Sequence, residues 1–121
     1  MPKFPKSERI KSRLVIDKVF QEGELIKVHP FRLKYLKREE GGTQIVITVP
    51  KRNIKSAVKR NRVRRQLKEI YRLNKESLLD KLKAKETSLA LFLIYTGKEN
   101  EDFNLLESKL KLVLKELEEK V

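Results

Sequence analysis

Apolar positions along the chain change their spacing from segment to segment, and the changes mark out its elements. Leu14, Ile16, Val19 and Phe20 recur at near-helical spacing behind Ser12, a good capping residue, and Gly23 offers a stop. A first helix is therefore expected at about 12–22. Leu25 to Val28 reads as a short strand interrupted by Pro30, which suits an edge or a bend. Phe31, Leu33 and Tyr35 alternate with Arg32 and Lys34, the period of a half-buried strand. Glu39-Glu40-Gly41-Gly42 is a turn, and Thr43 to Val49, rich in β-branched residues, reads as the partner strand of a hairpin.

Pro50 ends that strand. A basic loop leads into a long helix at about 56–75 with Val63, Leu67, Ile70 and Tyr71 on one side, and residues 76–85 continue it for a further turn or two. Ser88 to Tyr95 is almost wholly apolar, as for a central strand buried on both faces. Thr96-Gly97 breaks it. Leu105, Leu106, Leu110, Val113, Leu114 and Leu117 then mark a last amphipathic helix at about 101–119, with Glu101 and Asp102 favourable at its start. Residues 1–8, with two prolines and little periodicity, are expected to be extended and poorly ordered. The expected order is α-β-β-β-α-β-α: one α+β domain spanning 1–121, a sheet of about four strands packed with three helices, and no internal repeat or linker.

Composition turns this scaffold into a functional expectation. The 121 residues suffice for one core. The charged fraction is 39%, against about a quarter in an ordinary domain. Lys and Arg number 30 against 17 acids, a net charge of +13. The excess is focused: residues 51–75 hold 11 basic residues and one acid, whereas residues 76–121 hold 8 basic and 10 acidic. A polyanionic partner relieves such self-repulsion, and nucleic acid is the commonest one. Cysteine is absent, which excludes disulfides, thiolate metal sites and cysteine catalysis. No apolar run approaches the roughly 20 residues needed to cross a bilayer, and the basic start lacks the apolar core of a secretory signal. A soluble, cytoplasmic protein is expected.

On a wheel of about 100° per residue, Val63, Leu67, Ile70 and Tyr71 share one arc of the basic helix. Asn61, Arg65, Lys68 and Arg72 lie opposite, Arg62 beside them, and Arg60 and Arg64 on the flank. A cationic ridge thus runs along a helix fixed to the core by its other side. Arginine forks suit phosphate oxygens.

The segment Ala57-Val58-Lys59-Arg60-Asn61-Arg62-Val63-Arg64-Arg65, followed by Lys68, Glu69 and Tyr71-Arg72, closely resembles the "RNR" signature of bacterial ribonuclease P proteins. Lys51-Arg52 match a basic pair at the end of that family's third strand, and Lys11, Val19-Phe20, Gly23 and Phe31 match positions upstream. Two departures stand out. Ile16 occupies a position where the family often has an aromatic ring, and the loop Asn53-Ile54-Lys55-Ser56 is one residue longer than the commonest form.

The resemblance implies an accessory subunit of an endoribonuclease, a hydrolase that removes the 5′ leader of precursor tRNA. The RNA subunit is the catalyst in that family, and the protein alone is expected to be inactive. It also implies a left-handed βαβ crossover. Carried over, Lys51, Arg52, Lys59, Arg60, Asn61, Arg62, Arg64, Arg65, Lys68 and Arg72 would meet the catalytic RNA. A cleft formed by the first helix and a face of the sheet would hold the single-stranded leader, with Phe20, Phe31, Leu33 and Tyr35 as candidates. Aromatic rings among cations can stack bases. The same residues also read as core: Phe31, Leu33 and Tyr35 as the inner face of the sheet under the last helix, and Phe20 as packing. Implied partners are the ribonuclease P RNA and precursor tRNA, with one protein monomer per RNA and no membrane. No cofactor is expected on the protein alone, and Mg2+ is expected for the holoenzyme.

His29, the single histidine, has no nucleophile near it in sequence and reads as a surface or packing residue. HExxH, CxxC and P-loop patterns are absent, as is a clustered carboxylate set for a two-metal nuclease. A ribosomal or other structural RNA-binding protein is the alternative reading. A DNA-binding regulator fits the strand-rich order poorly, and a membrane-surface helix would need an apolar side that the core already uses. The focused charge predicts that affinity for structured RNA falls linearly with salt on logarithmic axes between about 50 and 200 mM. A flat response would remove residues 51–75 as the binding surface.

Overall fold

In a computed structural model, described for residues 13–38 and 42–121, the elements are α1 (Arg13–Glu22), β1 (Glu24–Val28), β2 (Phe31–Arg38), β3 (Gln44–Thr48), α2 (Ala57–Asn74), α3 (Glu76–Ala84), β4 (Ser88–Tyr95) and α4 (Phe103–Lys120). The expectations for residues 1–8, for Ser12 as a cap and for most of the Glu39–Gly42 turn lie outside the described residues. Local chemistry sets the ends of the long helices. The Ser56 hydroxyl accepts from the Lys59 amide at 3.3 Å, and the Asp102 carboxylate accepts from the Asn104 amide at 3.2 Å.

The strands form one sheet in the order β1-β2-β4-β3. β2 pairs antiparallel with both β1 and β4, and β3 pairs parallel with β4. The expected β2–β3 hairpin is therefore corrected, because β4 lies between the two strands. Period-2 alternation reports which side chains are buried, not which edge a strand pairs with. β2 and β3 thus lie two strand spacings apart, about 10 Å. The β3–α2–α3–β4 segment is a βαβ unit with adjacent parallel strands.

Residues 76–85 form a separate helix rather than extra turns of α2, making four helices among the described residues. The two helices meet at Lys75, whose backbone stays near-helical (φ −80°, ψ −20°). No glycine or proline marks the joint. The Asn74 side chain donates to the Ile70 carbonyl at 2.8 Å and to Glu107 Oε2 at 3.2 Å, tying the end of α2 to α4.

One face of the sheet carries Ile26, Phe31, Leu33, Tyr35, Ile45, Ile47, Leu91, Leu93 and Tyr95 into the main core. α2 adds Val63, Leu67, Ile70 and Tyr71, and α4 adds Leu106, Leu110, Val113, Leu114 and Leu117. Phe31 and Tyr95 meet edge to face at 5.8 Å. Among the described residues, the other face receives α1 alone, through Val19 on Ala90 with Ile16, Leu36, Val46 and Phe92 around them.

Tyr35 Oη donates to Glu24 Oε2 at 2.6 Å. Burial, and then the Glu24 carboxylate, push its hydroxyl from 10.0 up to about 12. The folded protein thus holds this proton more tightly than the unfolded chain. The resulting stability is complete below pH 10 and is lost as the pH rises towards 12. Urea denaturation across that range should show Tyr35→Phe losing less stability than wild type. Tyr35→Ala should destabilise by about 3–5 kcal/mol at neutral pH, as for a buried aromatic.

Candidate nucleic-acid interface

α2 is an 18-residue helix with seven Lys or Arg residues and a single acid, Glu69. Its four buried residues face the sheet and α4, so its cations point outward. Val58, Asn61, Arg64, Arg65 and Lys68 line an open depression of about 460 Å3. The expected ridge is therefore concave at its middle. Arg64 Nη1 donates to Asn61 Oδ1 at 2.8 Å, which orients the Arg64 fork across the depression. Val58, 69% exposed, places an apolar surface among the cations. Lys59, Arg62, Lys51 and Arg52 are exposed beyond its rim.

Arg72 and Arg60, both expected phosphate ligands, do not line the depression. Arg72 makes a bidentate ion pair with Glu69, with Nη2–Oε1 at 2.5 Å and Nε–Oε2 at 3.0 Å. That bond holds the Glu69 carboxyl below its usual range and raises the Arg72 guanidinium. Arg60 turns back to the loop before the helix, its Nη1 donating to the carbonyls of Ile54 and Lys55.

Of the four residues named for the second surface, three are buried and one is exposed. Phe31, Leu33 and Tyr35 are 1%, 2% and 5% exposed and pack into the main core under α4. They are packing residues, and the leader assignment is corrected there. A strand in this half-covered sheet alternates faces, and the core claims the larger apolar set. Phe20 is 53% exposed and stands on the other face. Its ring meets Phe92 edge to face at 6.0 Å. Lys34 Nζ sits 4.4 Å from the Phe20 ring centre and donates to the Phe20 carbonyl at 2.5 Å. Leu25, Lys34, Phe92 and Val46 form one straight row across the four strands, and Lys27, Arg32, Ile94 and Thr48 form the next.

α1 sits close enough to shape this groove because residue 23 is glycine. A Cβ there would lie 2.4 Å from the Val19 carbonyl oxygen and 3.0 Å from that of Tyr35. Lys34 and Phe92 escaped notice in the sequence because both sit inside strands whose other face is core. The signal available was Lys34, a cation between the buried Leu33 and Tyr35.

Residues 4–118 match the family model for Ribonuclease P. The chain belongs to the ribonuclease P protein family. A ribonuclease P protein component from Porphyromonas gingivalis is 36% identical over 105 residues, covering 84% of this chain and 77% of the relative. One from Borrelia duttonii is 35% identical over 106 residues, covering 84% of each. The ribonuclease P protein structure from Staphylococcus aureus superposes with a TM-score of 0.76 at 20% identity, covering 93% of this chain and 96% of that one. The Thermotoga maritima protein gives 0.72 at 24%, covering 90% and 96%. At those identities the likeness speaks for the fold. As a ribonuclease P protein, the chain is a subunit of an endoribonuclease of tRNA 5′ processing, and RNA binding follows from the family.

The two kinds of motif cation should behave differently in RNA binding. Arg62→Ala and Arg65→Ala should each weaken binding to ribonuclease P RNA and flatten the logarithmic salt slope by about 0.9. Melting temperatures should stay unchanged. Arg72→Ala, which releases Glu69 as well, should leave the slope nearly as it was. Filter binding at four salt concentrations measures all three.

Proposed function

We propose that the depression on α2 docks on the catalytic RNA while the groove between α1 and the sheet holds the 5′ leader of precursor tRNA. Asn61, Arg62, Arg64, Arg65 and Lys68 are the docking residues, with Lys51, Arg52 and Lys59 beside them. The leader residues are Phe20 and Phe92, which offer ring surface to bases, and Lys34 and Arg32, which serve the phosphates. The observation that carries this reading is the separation of the two surfaces. Cations lie on the outside of α2, beyond one face of the sheet. The exposed ring and its lysine lie on the other face.

Chemistry is assigned to the RNA. Among the described residues, no three of His, Cys, Asp and Glu come together where they could hold a metal ion. On this reading the Mg2+ of the holoenzyme is held by the RNA, and the protein's own residues bind, orient and neutralise charge. One protein per RNA, acting in the cytoplasm, is the corresponding assembly.

The test is an assembled enzyme offered precursor and mature tRNA. Phe20→Ala should weaken precursor binding by the equivalent of about 1–3 kcal/mol per stacked base and leave mature tRNA binding unchanged. An equal loss for both would place the leader elsewhere. The protein with magnesium but no RNA subunit should leave precursor tRNA intact, and specific 5′ cleavage by it would refute catalysis by RNA.

A further inference from the structure

Arg60 opens the Arg-Asn-Arg signature, yet it does not line the depression formed by the residues that follow it. It is only partly exposed, and a single nitrogen, Nη1, donates to two carbonyls, that of Ile54 at 2.9 Å and that of Lys55 at 2.7 Å. A guanidinium bonded to main-chain oxygens makes a charge-assisted contact in a fixed geometry. The loop it grips carries three exposed cations, Lys51, Arg52 and Lys55.

Everything else about that loop is also fastened. The Asn53 and Ile54 amides donate to the Pro50 carbonyl at 3.1 and 3.2 Å. Asn53 Nδ2 donates to the Tyr95 carbonyl at 3.2 Å, tying the loop to the end of the central strand. The Ile54 side chain is buried in the main core. Ser56 caps α2. Between the Ile54 anchor and the Ser56 cap, Arg60 is the tie that reaches the backbone of Lys55.

We infer that Arg60 is a positioning residue rather than a phosphate ligand: it clasps the loop to α2, so that Lys51, Arg52 and Lys55 stand at a set distance from the cations of the depression. This rests on the docking role proposed for α2. A loop fixed in advance avoids the cost of ordering on association. The effect of Arg60 on RNA binding should therefore pass through the three loop cations.

A mutant cycle separates the two roles. Affinity for in-vitro transcribed ribonuclease P RNA is measured against salt for wild type, Arg60→Ala, Arg65→Ala, the loop triple variant (Lys51→Ala, Arg52→Ala, Lys55→Ala) and the triple variant with Arg60→Ala added. In the wild-type background Arg60→Ala should lose roughly three- to tenfold in affinity, the ordering cost of one or two side chains. In the triple background it should lose less than about twofold, the scatter of independent sites, with no further change of salt slope. Amide exchange at Asn53 and Ile54 should quicken in Arg60→Ala while β4 stays protected. Should Arg60→Ala unfold the chain, Arg60→Met, which keeps the apolar stem without donors, takes its place.

An equal loss in both backgrounds would make Arg60 a phosphate ligand and overturn the inference, as would no loss in the wild-type background. If Arg65→Ala and the triple variant both bind as wild type does, the docking role of α2 fails, and the positioning role falls with it.

Discussion

The packing of Val63, Leu67, Ile70 and Tyr71 beneath α2 is the interaction on which the cationic surface of that helix depends. Lys59/Arg62, Arg62/Arg65, Arg65/Lys68, Arg60/Arg64, Arg64/Lys68 and Lys68/Arg72 are like-charge pairs three or four residues apart on that helix. Together they oppose it by about 1–3 kcal/mol. Burying four large side chains contributes about 6–12 kcal/mol in the other direction. Only a helix bound to a core can hold this many cations on its outer side. The Glu69–Arg72 pair removes one repulsion at the end, and Asn61 occupies Arg64 in the middle. Part of the motif thus makes internal contacts that hold its own side chains in place.

The sheet divides its side chains between two faces by simple alternation. Leu33 and Tyr35 point to one side and belong to the core, while Arg32 and Lys34 point to the other. Among the described residues, α1 is the helix on that second side, and its last turn is held by the Lys34–Phe20 bond and by the close approach at Gly23. Among the described residues, that face presents the exposed Phe20 ring with Lys34 beside it.

Much of this was legible in advance because the relevant signals are local. Apolar spacing located every strand and the α2 core residues, and the charge block located the helix that carries the motif. Three features escaped because they depend on tertiary context. The neighbour of β3 is β4, and a period-2 pattern contains no information about partners. The break at Lys75 has no glycine or proline, since tertiary ties such as Asn74 to Glu107 end α2 there. Phe31 and Tyr35, unlike Phe20, turned out to be buried, since conspicuous rings on a strand are the ones a small core needs first. Likewise, nothing in the composition distinguishes Arg60 from Arg62. Only the main-chain oxygens near Arg60 do so.

The strand order carries a consequence for synthesis. β4, which joins β2 to β3, is the last strand in the chain, and both pairings wait for residues 88–95. On the ribosome, β3 and α2 therefore emerge before the strand that joins them to the rest of the sheet exists. Domain-scale folding must wait for these non-local contacts to close. For that interval the most cationic segment of the chain is outside the exit tunnel with its apolar side uncovered, in a compartment crowded with RNA. The nascent protein thus meets polyanions before it has a finished surface to offer them, and the late strand sets when promiscuous attraction gives way to a defined interface.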